Sequence, residues 1–274
     1  MLISIDTEFD RRHTYRPILS IVQIKEEGKQ PVIYDVKRTG NGDKDVNNNI
    51  QCCGDIKSSE EDLKYLVDLL SNKDNIKIIH ASSQDIEAIY SHFKFVIKNV
   101  FDTQIGAKYL GFGYEIGYAK AVELFCDKEI VKEKRLQNSH WLKRPLTKEQ
   151  IFYAKQDVEF LEHIYNKMNL LFKDKPEEYE KFCNECNNLV SEKKYKFNPY
   201  YVWQKNKHKI KFTKNYELIK KLFFEREKQA SYHNLSREFV WKLKDLVMFA
   251  ETKDKMFLQS INFRVPQDVF LRYI

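Results

Sequence analysis

Apolar and polar positions alternate from the start of the chain. The runs LISID, LSIVQI and PVIYDV are apolar with short polar connections, which predicts three strands in an antiparallel meander. Residues two apart on a strand share a face, so Ile3, Ile5 and Thr7 point one way and Asp6 and Glu8 the other. A polar stretch rich in Gly and Asn, Lys37 to Ser58, then interrupts the pattern and reads as a long loop. SEEDLKYLVDLLS restores helical spacing behind Ser59, NIKIIHA reads as a short buried strand, and SSQDIEAIYSHF is a helix with Asp85 in its first turn. FDTQIGAKYLGF and EIGYAKAVELF predict two more helices. After Pro145, LTKEQIFYAKQDVEFLEHIYNKMNLLF has the pattern of one long amphipathic helix capped by Thr147. Strands first, then one strand among helices, give an α/β or α+β domain over residues 1–172. Residues 173–207 are charged with scattered aromatics and read as a linker, and helical patterns fill residues 208–274.

Composition narrows this picture. A hydrophobic content of 42% supports a packed core and excludes global disorder. The N-terminus reaches Asp6 without the basic-then-apolar layout of a signal peptide, and no apolar run is long enough for a membrane span. The expectation is a cytoplasmic protein that engages no membrane. The cysteine count is odd, which argues against a disulfide framework. Cys183 and Cys186 have half the spacing of a zinc site but no second pair to complete it, so they read as helix residues.

The net charge of +7 is unevenly placed: residues 195–274 carry +9 and residues 1–194 carry −2. Such asymmetry suits a folded unit followed by one that meets a polyanion, although a lysine-rich solvated surface has the same composition.

Four acids stand out against that basic background. Tyr153 and Asp157 lie one helical turn apart and share a face. Asp6 and Glu8 share a strand face, and Asp85 follows a strand end. Each alone is ordinary. Four carboxylates gathered in one cavity would repel one another unless cations joined them, and hard oxygen ligands suit Mg²⁺ or Mn²⁺. Two such ions about 4 Å apart stabilise an in-line phosphoryl displacement.

The blocks IDTEFDRRHTYRPILSIVQI, HASSQD, FDTQIGAKYLG, IGYAKAV and SHWLKRPLTKEQIFYAKQDVEFLEHIY resemble, in order, the motifs of ribonuclease D. That family comprises 3′-to-5′ exoribonucleases with four metal-binding acids and a tyrosine. The resemblance implies an RNase H-like 3′-5′ exonuclease domain. It also implies that Asp6, Glu8, Asp85 and Asp157 hold two divalent ions, Mg²⁺ or Mn²⁺, and that Tyr153 orients the attacking water. Asp6 would bridge the ions, Glu8 and Asp157 would hold the one carrying the water, and Asp85 would serve the other. Thr7 and Phe9 beside the site are candidate contacts for the terminal nucleotide. The implied substrate is RNA with a free 3′ end, tRNA precursors in particular, with no obligate protein partner evident.

EREKQASYHNLSREFVWKLKDLVMFA resembles the start of the small all-α HRDC domain that follows the nuclease in this family. Two features depart from the pattern: His140 stands where an acid usually precedes the tryptophan, and the Lys37–Ser58 loop is long. Two other readings use the same residues, a 3′-5′ DNA exonuclease and a non-catalytic nucleic-acid-binding module. Presence of all four acids and Tyr153 speaks against the second.

Overall fold

The computed structural model describes residues 1–39, 56–131, 133–210 and 214–273. The chain divides into two compact units. Met1–Asp10 and Ile18–Tyr195 make the first, Arg11–Pro17 and Lys196–Ile274 the second.

The first unit is built on a six-stranded sheet in the order β4-β3-β2-β1-β5-β6. The strands are β1 (Leu2–Asp10), β2 (Ile18–Glu26), β3 (Val32–Asp35), β4 (Ile56–Lys57), β5 (Ile76–Ile79) and β6 (Val100–Asp102). The first three form the predicted antiparallel meander, while β4, β5 and β6 join in parallel. Strand β1 is central, between β2 and β5. Ile3, Ile5 and Thr7 are buried on one face, as alternation requires, and Asp6 and Glu8 are half-buried on the other. The Lys37–Ser58 loop, Cys52 and Cys53 included, lies largely outside the described residues, although its last part supplies β4.

Nine helices accompany the sheet among the described residues. They are α1 (Glu60–Ser71), α2 (Ser83–Phe93), α3 (Thr103–Leu110), α4 (Tyr118–Cys126), α5 (Lys134–Gln137), α6 (Lys148–Glu159), α7 (Leu161–Phe172), α8 (Pro176–Leu189) and α9 (Glu192–Tyr195). Helix α1 opens with a capping box in which Ser59 and Asp62 satisfy each other's backbone N–H. Thr147 and Gln150 do the same for α6.

Two sequence expectations change here. The long helix after Pro145 is two helices, α6 and α7, divided at Phe160. Residues 173–195, taken for part of a linker, are mostly helical. Phe182 and Cys186 of α8 are buried against Phe101 and Phe172, and Val190 and Tyr195 join the core under β1. The charged residues of α8 mask an apolar stripe that finds its partners only in the folded unit. Cys183 and Cys186 are free cysteines on this helix.

The second unit is helical: α10 (Pro199–Asn206), α11 (Tyr216–Tyr232), α12 (Arg237–Val240), α13 (Leu243–Thr252), α14 (Lys255–Ser260) and α15 (Asp268–Leu271). Trp203, Phe223, Trp241, Phe249 and Phe270 dominate its core. Arg11–Pro17, the connection from β1 to β2, belongs to it as well. Tyr15 donates its hydroxyl to Glu227 Oε2 (3.0 Å), His13 stacks on Phe239 (5.1 Å), and the Ser236 N–H donates to the His13 carbonyl (2.9 Å).

Candidate active site

Strand β1 and helix α6 supply the acids. The β1–β2 pairing slips between Glu8 and Phe9, because Ser20 is an extra residue on β2. Such a bulge bends a strand and re-aims its side chains. Here it also creates a docking point. Ser20 Oγ donates to the Trp141 carbonyl (2.5 Å), and Arg144 Nη2 donates to Ser20 Oγ (3.0 Å). The same guanidinium forks onto Asp35 through Nε–Oδ2 (2.6 Å) and Nη2–Oδ1 (2.7 Å). A bidentate pair fixes orientation as well as distance. Arg144 therefore ties the loop ahead of α6 to β2 and β3. Trp141 is buried with its ring 6.1 Å from that of Tyr153, while His140 beside it is exposed.

With α6 held in this way, carboxylate oxygens of Asp6, Glu8 and Asp157 lie within 4.8 Å of one another. Asp157 is buried and the other two half-buried. Tyr153 hydrogen-bonds Asp157. Burial, and after it the carboxylates of Asp157, Glu8 and Asp6, raise its phenol far above the ordinary value of 10. At working pH Tyr153 is therefore an O–H donor and not a base.

Asp85 stands outside this three-residue group. It is buried at the start of α2 and accepts a 2.6 Å hydrogen bond from the Thr7 hydroxyl. Burial pushes its carboxyl well above the ordinary range. The Thr7 bond opposes this, and Asp102 adds to it. Thr7, read as a candidate substrate contact, is thus buried and committed to Asp85. Phe9 is half-buried and packs against the core.

Sequence reasoning missed two residues. Asp102 organises the segment after β5, accepting from the Ala81 N–H (3.1 Å) and the Ser82 N–H (2.7 Å) while capping α3. Tyr118 explains the break between α6 and α7. Its hydroxyl donates to the Gln156 carbonyl (3.1 Å) and accepts from the Phe160 N–H (3.1 Å). These two backbone groups would otherwise bond each other in a continuous helix, so the hydroxyl is inserted into the ladder. His80 steadies that ring edge-on (5.7 Å), with Nε2 donating to the Ile116 carbonyl (2.9 Å). Asp157 is the residue after Gln156. Burial first, then Asp157 and Asp6, raise the Tyr118 phenol, which places the hydroxyl in the field of the site acids.

Tyr118→Phe leaves Gln156 and Phe160 either unsatisfied or closed on each other. We expect about 1–2 kcal/mol lost in urea unfolding and weaker Mn²⁺ binding through a displaced Asp157. A variant equal to the parent in both measurements would remove Tyr118 from any role in aiming that carboxylate.

The profile of the 3′-5′ exonuclease family matches residues 2–173, which is more than half of the chain and takes in the whole acid cluster. This chain belongs to the 3′-5′ exonuclease family. Ribonuclease D of Nitrobacter hamburgensis is 30% identical over 241 residues, which are 88% of this chain and 57% of that one. The chain thus spans under three-fifths of that relative's length. The crystal structure of Escherichia coli RNase D, an exoribonuclease involved in structured RNA processing, superposes with a TM-score of 0.74 at 24% identity. That match covers 92% of this chain and 61% of the other. Brucella melitensis NrnC with bound Mg²⁺ gives 0.51 at 20% identity, covering 66% and 79%. At these identities the likeness is one of fold, a mixed sheet flanked by helices.

Proposed function

We propose that the chain is a metal-dependent 3′-to-5′ exoribonuclease that releases 5′-mononucleotides from RNA with a free 3′ end, tRNA precursors among its substrates. The observation that carries the reading is the meeting of Asp6, Glu8 and Asp157 beside the Tyr153 hydroxyl. The choice of RNA is supported by the ribonuclease D relatives. A cytoplasmic setting belongs to the same proposal. Among the described residues, no helix is long and apolar enough to cross a membrane.

The donor set fits a hard divalent cation, since three carboxylates converge and one of them is buried. Asp6, Glu8 and Asp157 would hold it, and Asp85 completes the proposed acid set. Bound Mg²⁺ or Mn²⁺ supplies Lewis-acid stabilisation of phosphoryl charge and lowers the pKa of coordinated water. The chain's own residues do the rest. Tyr153, held protonated, donates a hydrogen bond and orients the nucleophile rather than deprotonating it. The Thr7–Asp85 bond fixes β1 to the start of α2 and so holds the strand that carries Asp6 and Glu8. Of the two candidate substrate contacts, Phe9 keeps the stronger claim, because the Thr7 hydroxyl is already engaged.

The test is turnover of 3′-end-labelled single-stranded RNA and DNA, with EDTA and after adding back Mg²⁺ or Mn²⁺. We expect 5′-mononucleotides from RNA, loss of turnover with EDTA, and recovery with either metal. Cleavage of a circular RNA would sink the exonuclease reading, and equal turnover of DNA would broaden the substrate beyond RNA.

A further inference from the structure

The nuclease chemistry makes no use of α10 and the turn that follows it. From Lys196 to Lys214 the sequence has six lysines and neither Asp nor Glu. The helix is firmly set. Asn198 caps it by accepting from the Tyr201 N–H (3.1 Å), and Pro199 occupies the first helical position. Trp203 pins its inner face: it is 2% exposed, with ring centroids 5.1 Å from Phe223 and 5.4 Å from Tyr216. Ile210 is buried and closes the turn. With Trp203 turned inward, Tyr200 and Tyr201 are left 55% and 51% exposed. One helical turn after Tyr201, Lys205 places its ammonium 4.5 Å from that ring's centroid. Lys207, His208 and Lys209 follow, all exposed.

An exposed tyrosine alone costs little, since its hydroxyl stays in water, and a lysine-rich turn alone is a solvated surface. Their combination on a rigid helix, in a segment free of carboxylates, is more specific. A membrane or an acidic protein could also use lysines and exposed rings, but neither is the partner that the exoribonuclease reading calls for. An RNA duplex hides its base faces. Single-stranded RNA offers both unstacked bases and regularly spaced phosphates.

We propose that α10 and its following turn form a platform for single-stranded RNA. Bases stack on Tyr200 and Tyr201, and Lys205, Lys207 and Lys209 meet the backbone phosphates. The choice of RNA rests on the exoribonuclease reading above. The platform adds affinity for substrates with unpaired nucleotides beyond the terminal one and takes no part in the chemical step.

The test uses the full chain and a fluorescent single-stranded RNA of about 12 nucleotides, with EDTA present so that nothing is cleaved. A Tyr200→Ala/Tyr201→Ala variant should bind at least about fivefold more weakly, at the low end for loss of a base–aromatic stack. Its salt dependence should hardly change, and a Tyr200→Phe/Tyr201→Phe variant, which keeps the rings, should restore affinity. A Lys205→Ala/Lys207→Ala/Lys209→Ala variant should flatten the slope of log K against log salt by about 2, at about 0.7 per phosphate contact. With Mg²⁺ supplied, both alanine variants should turn over a dinucleotide at the parent rate, which also reports that they are folded. Unchanged affinity in the tyrosine-to-alanine variant overturns the platform. A parent chain that binds RNA but never cleaves the dinucleotide overturns the nuclease reading instead, and the binding comparison still decides the platform.

Discussion

Asp157→Asn, and separately Asp6→Asn, should lower RNA turnover by about 10³-fold or more, the equivalent of several kcal/mol of transition-state charge stabilisation. Each change keeps the shape of the side chain and removes one negative charge from a group whose oxygens lie within 4.8 Å of one another. Folding should not suffer. Without metal the three carboxylates repel, so neutralising one should leave thermal stability unchanged or higher. Tyr153→Phe is the contrast. It removes a hydroxyl and no charge, and should cost about 10²-fold in rate, the low end for a positioning or proton-transfer group, with Mn²⁺ affinity retained. Steady-state kinetics, Mn²⁺ titration and thermal melting of the three variants check this together. Near-normal turnover in either Asn variant would remove that acid from the site. Loss of Mn²⁺ binding in Tyr153→Phe would mean that the phenol helps hold the ion.

Glu227→Ala should be the most damaging single change in the helical unit. Glu227 is 0% exposed and accepts from Arg226 Nη2 (2.8 Å), Arg237 Nε (2.7 Å) and the Tyr15 hydroxyl (3.0 Å). Arg226 is itself buried, and burial lowers its pKa while Glu227 opposes that. Removing the carboxylate strands a buried guanidinium, and breaking a buried pair in this way costs about 3–5 kcal/mol. Tyr15→Phe deletes one hydrogen bond to a charged acceptor and should cost about 1.5–3 kcal/mol. The double variant should lose less than the sum of the two, because Tyr15 and Glu227 share that bond. Urea unfolding measures all three. An unaltered midpoint for Glu227→Ala would show that Arg226 finds other compensation.

The parts of the fold that could be read in advance are those that local chemistry decides. The alternation in β1 fixes which face Asp6 and Glu8 occupy, and Ser59 and Thr147 announce their helices because a cap needs only the next three residues. The acid set could be anticipated because its members fall in distinctive short blocks. What escaped depends on partners distant in sequence. Nothing local, neither glycine nor proline, divides α6 from α7; the cause is a hydroxyl 38 residues upstream of Gln156. The apolar stripe of α8 is thin and its neighbours are charged, so its burial shows only once Phe101 and Phe172 stand beside it. The Thr7–Asp85 bond spans 78 residues, and no pattern within β1 or α2 foretells it.

The membership of Arg11–Pro17 in the helical unit bears on how the chain is made. Strands β1 and β2 leave the ribosome well before the helical unit. The bend between them must wait for Glu227, 212 residues beyond Tyr15, before its tyrosine has an acceptor. At about 5–20 residues per second that wait is roughly 10–40 s. During translation the sheet can assemble around a bend whose partners do not yet exist. A stretch of chain made later then closes one made earlier.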